Sequence, residues 1–133
     1  MKYLVAFFLA AHGLLHASYL TPAPPASSGG PEWPFQMSRS WVVTGLGIDV
    51  GVVRAVGAVL IVAVVIGFVL AALGWLGWVV PAGWWPALAG TSAVGSVLVL
   101  TVFFHPWIAL GIVIDAVLLW FVVGAGTTAA VAP

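Results

Sequence analysis

"VRAVGAVLIVAVVIGFVLAALG", residues 53–74, contains one charged side chain, Arg54, and that one lies at its edge. A bilayer's hydrocarbon core is about 30 Å thick and takes roughly 20 apolar residues at ~1.5 Å rise each. This stretch meets that test outright. Three further segments meet it or come close, at residues 3–20, 86–104 and 107–125. Backbone polar groups in lipid have to be satisfied internally, and none of the four segments alternates with period two, so they read as helices and not as barrel strands. The expected fold is all-α: a transmembrane four-helix bundle, one integral membrane domain over residues 1–133, with a single long loop at 21–52.

Composition agrees. Of 133 residues, 64% are apolar and 5% charged, too few charges for a water-soluble surface. Glu32, Asp49 and Asp115 balance Lys2, Arg39 and Arg54, so the net charge is zero and there is no basic face to neutralise nucleic-acid phosphates. No cysteine is present, which removes disulfides, thiolate metal sites and dithiol redox chemistry. The first segment also fits a secretory signal, with Lys2 as the charged start and "TPAPPA" supplying small residues, but two histidines in its second half argue against that reading.

The loop divides in two. Its first half is rich in Pro, Ser and Gly and reads as irregular, while "MSRSWVVTGLGID" (37–49) mixes apolar and polar residues and either packs back on the bundle or lies at the interface. The remaining links are short, which makes sequential helices antiparallel neighbours. Trp75, Trp78, Trp84, Trp85 and Trp120 then fall at one membrane face and Trp33, Trp41 and Trp107 toward the other, the placement of interfacial anchors. Three basic residues barely constrain orientation; a polar, Pro-rich loop on the outside puts both termini in the cytoplasm of what reads as a bacterial cell membrane. Ala89 with Ala93 and Ser92 with Ser96, within "GTSAVGS" and its flanks, read as close helix packing.

Against this background "HGLLH" (12–16) stands out. Residues four apart on a helix lie about 40° apart, so His12 and His16 share a face, and Tyr19 returns to it. Counted from the face bearing the long loop, His16 is about one turn deep, His12 about two, Arg54 at the mouth of the second helix, His105 at the end of the third, and Asp115 about two turns into the fourth. All fall in one half of the bundle. Ionisable groups in a membrane interior cost a few kcal/mol or more unless paired or hydrated, and mark a functional site by default. His12 and Asp115 are expected to face each other, with Gly111 leaving room beside Asp115.

Three uses fit the cluster. One is a pocket of His12, His16, Tyr19, Arg54, His105 and Asp115 for a small or amphipathic ligand such as a quinone or lipid, with proton or redox chemistry. Another is a divalent metal held by His12, His16 and His105, with Asp115 or Glu32 completing the shell. The third is structural, a His12–Asp115 pair fixing helix register while His16 and His105 reach the interface. The corresponding rival function is a non-catalytic subunit of a larger membrane complex, with a membrane-protein partner or a second copy. Asp49 reads as a helix cap within pairing distance of Arg54, and His105 before Pro106 suits a helix C-terminus. No nucleophile motif or phosphate-binding glycine loop appears in the sequence.

His12, Gly13 and His16, then Asp49, Arg54 and Gly57, then Gly111 and Asp115 together resemble a family of uncharacterised bacterial four-helix integral membrane proteins with an HG-x-x-H first helix. More loosely the layout is similar to small DoxX-like membrane proteins, some of which accompany quinone-linked redox enzymes; that resemblance implies quinone chemistry, although a basic residue after the helix-one glycine is missing here.

Overall fold

The computed structural model describes residues 1–24 and 32–130, with side chains to Gly124. Part of the Pro-, Ser- and Gly-rich half of the loop, residues 25–31, lies outside the described residues. Among those described there is helix and no strand. The helices are α1 (Lys2–Leu15), the short α2 (Trp41–Thr44), α3 (Val50–Leu76), α4 (Trp85–Val102) and α5 (Ala109–Ala130). Four spans are long and apolar enough to cross a membrane: Lys2–Leu20, Val50–Leu76, Ala82–Val102 and Pro106–Gly124. The chain is a multi-pass membrane protein whose long helices form a bundle in contact with lipid.

Local chemistry sets where each helix starts and stops, and moves several expected boundaries. The second segment is longer than residues 53–74 because Asp49 caps it early. One Asp49 carboxylate oxygen accepts from the amides of Gly51 (2.8 Å) and Val52 (3.1 Å). It ends where Gly77 turns left-handed (φ 72°), with Trp78 N–H bonded to the Leu73 carbonyl and Gly77 N–H to that of Gly74, a Schellman closure. The first segment is α-helical only to Leu15 and tightens to a 3₁₀ turn over His16–Leu20. The third stops at Val102, two residues short of the expected end. His105 therefore does not sit at a helix C-terminus. It is extended, and its Nδ1 accepts from the Trp107 amide (3.3 Å), capping the 3₁₀ turn Pro106–Ile108 that leads into α5.

The long helices are apolar on their outer faces as well as on the faces that pack in the core. Leu110, Val113, Val117 and Trp120 form an exposed apolar stripe on α5 at spacings of three and four, whereas Asp115 is 0% exposed. Val52, Val56, Val59, Val62 and Ile66 do the same on α3. Lipid can cover such faces without cost; water cannot. Inside, α1 packs on α3, α3 on α4 and α4 on α5. No comparable packing joins α1 to α5, so the bundle has a seam between its first and last helices.

Both ends are tied. At one, Lys2 Nζ donates to the Leu76 carbonyl (2.8 Å) and Trp75 Nε1 to that of Lys2 (3.0 Å). At the other, the second half of the loop packs back on the bundle. Ser40 Oγ donates to the Val102 carbonyl (2.5 Å) and Trp41 Nε1 to that of Thr101 (2.8 Å), satisfying acceptors that α4 leaves free at its C-terminus. Phe35 then meets Tyr19 edge to face at 5.1 Å, which covers the bundle's polar half.

Candidate functional site

Helix geometry brings His12 and His16 to one face of α1, and Gly13 between them lets α1 approach α3. A Cβ on Gly13 would lie 2.5 Å from the Cβ of Phe68. The Phe68 ring, fully buried, stands edge-on to His12 with centroids 5.1 Å apart and stacks beside His16 at 6.4 Å. An apolar wall thus closes the α3 side of the two imidazoles. Their polar partners come from α4 and α5.

His12 Nε2 lies 2.8 Å from Asp115 Oδ1. The other carboxyl oxygen, Oδ2, is 2.5 Å from Ser96 Oγ, which in turn lies 2.7 Å from His16 Nε2. His16 Nδ1 is 3.1 Å from the His12 carbonyl, one helical turn back. The four residues form a closed circuit in which each is 5% exposed or less. This arrangement spans the seam: a side-chain bond joins α1 to α5, whose backbones pack far less than those of sequential neighbours do. Such hydrogen bonds inside a membrane are worth roughly 0.6 kcal/mol on average, since the separated helices also find partners.

Ser96 is the member that sequence reading assigned to packing. A signal for it exists: it lies nine residues before His105, and Asp115 lies nine after Pro106, so an antiparallel hairpin turning there puts the two at equal depth. Serine's ordinary place in small-residue stripes hid it.

The remaining imidazole nitrogen, His12 Nδ1, has no hydrogen-bond partner among the described residues and is not sealed in the interior. His12 lines two cavities. One, of ≈ 190 Å³, is bounded by His16, Tyr19, Phe35, Leu100, Trp107 and Gly111; the other, of ≈ 550 Å³, runs along the seam past Leu4, Phe7, Phe8 and Ala11. Leu15 and Ile114 border both. The walls are mostly apolar, and His12 is the polar residue common to both cavities.

The other expected site residues are placed as follows. Tyr19 is buried, lines the smaller cavity and donates weakly to the Phe103 carbonyl (3.5 Å). One 3₁₀ turn separates it from His16, which aligns the two. Arg54 is exposed on α3 and borders a separate cavity of ≈ 330 Å³ with Tyr19, Phe35 and Met37; among the described residues it pairs with neither Asp49 nor Asp115. Arg39 pairs with Glu32 in the loop. His105 is occupied as a cap, outside the group of His12, His16 and Asp115, each of which offers one donor atom within 4.8 Å of those of the other two. Three such groups match the protein-ligand count of an open zinc site. A metal there would take the nitrogen lone pairs and break the bonds to Asp115 and Ser96. Gly111, expected to leave room for a residue from another helix, admits Leu100 of α4, whose Cδ1 would lie 2.8 Å from an added Cβ.

No family model, curated protein or solved structure matches this chain, so the resemblance drawn from its short motifs rests on those motifs alone.

Proposed function

We propose that the protein binds a small amphipathic ligand that enters from lipid along the α1–α5 seam and places its polar head on His12. One observation carries this reading: His12 lines two apolar-walled cavities and has one imidazole nitrogen without a partner among the described residues, while the other nitrogen of the same ring is held by Asp115. Pockets of this kind gain affinity from apolar area and orientation from a few fixed polar groups. Phe68 and Asp115 fix the ring before any ligand arrives, which lowers the ordering cost of binding.

Trp107 borders the smaller cavity and serves as a reporter. A brominated alkylphenol added to protein in lipid nanodiscs should quench a saturable component of the fluorescence that is missing in Trp107→Phe. Filling the mouth with Leu110→Trp should raise the apparent Kd at least tenfold. Quenching that grows linearly with probe, and equally in all three proteins, would mean partitioning into lipid and no site.

The same residues support a second reading, a divalent metal on His12, His16 and Asp115, because of the convergence of their donor atoms. Elemental analysis of the purified protein beside His16→Gln tests it, with one metal per chain lost in the variant as the expected result.

A further inference from the structure

The three basic side chains of the sequence meet different fates. Lys2 donates to the Leu76 carbonyl, and Arg39 pairs with Glu32. Arg54 has neither an ion pair nor a side-chain hydrogen bond among the described residues. Its depth and its surroundings both bear on what it meets.

Depth follows from length. The 27 residues of α3 span about 40 Å at ~1.5 Å rise each. A hydrocarbon core about 30 Å thick leaves roughly 10 Å of that helix outside, or about 5 Å at each end when the helix is centred. Arg54 lies about 6 Å along the helix from Val50. It therefore stands where hydrocarbon gives way to headgroups, the level at which Trp41 and Trp107 are exposed at the same end.

The cavity of ≈ 330 Å³ beside it offers donors and no acid. Thr21, Gln36 and Ser38 line it with Arg54, and among the described residues no aspartate or glutamate does. The Ser38 hydroxyl has no partner among those residues. The Gln36 amide spends one N–H on the Trp33 carbonyl (3.1 Å) and keeps the other. Thr21 gives its hydrogen to the Ser18 carbonyl (2.8 Å), which leaves its oxygen as an acceptor. Asp49 lies on another side of α3, about 140° around the helix from Arg54, with its carboxylate on the amides of Gly51 and Val52. The rest of the wall is apolar, and Leu20 in it is 44% exposed.

We propose that this cavity is a headgroup site for an anionic phospholipid, with the phosphate on Arg54, Ser38 and Gln36, a headgroup hydroxyl on Thr21, and the acyl chains leaving past Leu20 into the bilayer. A guanidinium fork matches two phosphate oxygens at once, and charge-assisted bonds of this kind are about twice as strong as neutral ones. A zwitterionic lipid brings an ammonium for which the cavity has no carboxylate. The site does not rest on the ligand reading of the His12 cavities. Tyr19 and Phe35, edge to face at 5.1 Å, stand between it and the smaller of them and border both.

Native mass spectrometry of the whole chain in neutral detergent, titrated with dioleoyl phosphatidylglycerol, reads occupancy directly. One lipid per chain should bind ahead of any further adducts, and Arg54→Gln should weaken that first binding by about tenfold or more. Arg39→Gln removes the same charge from the same end of the molecule and should change it by less than about twofold. Equal losses in the two variants would mean diffuse attraction of anionic lipid to surface cations, and would overturn the site. Equal binding of dioleoyl phosphatidylcholine would overturn it too. Gln36→Glu keeps Arg54 but sets a carboxylate in the same cavity, and should weaken binding as strongly as Arg54→Gln; unchanged affinity in that variant counts against the site even where Arg54→Gln folds poorly. Glycerol 1-phosphate, the same head without chains, separates the two sources of phosphate. It should leave the lipid in place at about 1 mM, and displacement at that concentration would replace the lipid with a soluble phosphate ester.

Discussion

Asp115 is the residue on which most of the interior depends. Both of its oxygens are engaged, by side chains from two other helices, and it is fully buried. An aspartate near the centre of a spanning helix costs about 2.5–3.5 kcal/mol to insert as an isolated charge, and the hydrogen bonds of the circuit offset part of that cost. Asp115→Asn keeps an acceptor for His12 and a donor for Ser96, and its thermal stability should lie within about 1 kcal/mol of the native protein. Asp115→Leu leaves both partners unpaired at roughly 1–3 kcal/mol each, and should melt well below the asparagine variant. Equal melting temperatures for the two variants in the same nanodiscs would remove the hydrogen-bonding role.

Among elements, the α1–α3 and α4–α5 contacts both rely on glycine, but not equally. At Gly13 an added Cβ would meet the Cβ of Phe68 at 2.5 Å, an atom fixed to the α3 backbone, so the helices themselves have to separate. At Gly111 the obstacle is a terminal methyl of Leu100, which can rotate away. Gly13→Ala is therefore expected to destabilise by about 1–3 kcal/mol, in the range of overpacked cores, and Gly111→Ala by clearly less. Unfolding both variants side by side in mixed detergent checks the order, and a reversed order would mean that α1 does not seat on Phe68 as described. Because His12 and His16 flank Gly13, the alanine variant should also weaken the Trp107 response to the brominated alkylphenol.

Over the whole molecule, the large exposed apolar side chains on the outer helix faces require lipid around the bundle. The absence of native cysteine makes single-cysteine variants clean reporters. Cysteines at Val59 and Val113, which are 73% and 57% exposed on outer helix faces, should react with a lipid-soluble maleimide and resist a charged one. A cysteine at Glu32, in the loop, should react with both. Rapid labelling of the Val59 or Val113 variants by the charged reagent would contradict the spanning arrangement. The open seam also has a consequence at this scale. His12 and Asp115 bridge helices whose backbones pack far less than those of sequential neighbours do, so a ligand along the seam would add apolar contacts between α1 and α5.

How much of this was legible follows from the range of each interaction. Hydropathy over some twenty residues is a local property, so the four spans, the loop and the exposed tryptophans could be read without a fold. The Asp49 cap is local too, since its carboxylate reaches amides two and three residues on. Helix ends were harder. Residues 16–20 tighten into 3₁₀ geometry, and α4 stops at Val102, four residues before Pro106, where Ser40 and Trp41 of the loop take up its last carbonyls. That His12, His16 and Asp115 lie in one half of the bundle was available from counting turns. Depth says nothing about azimuth, and there the reading ran out: His105 and Arg54 also belong to that half of the bundle, but the structure turns one into a cap and leaves the other on the outside. Ser96 went the opposite way, from a packing residue to the bridge between Asp115 and His16. The sequence by itself determined that this chain has four segments long and apolar enough to cross a membrane, with polar groups gathered in one half, because apolar length and helical rise are properties of contiguous residues. Which of those groups touch, and that α1 and α5 leave a seam leading to His12, only the tertiary structure decided, because both depend on the rotation of each helix about its own axis.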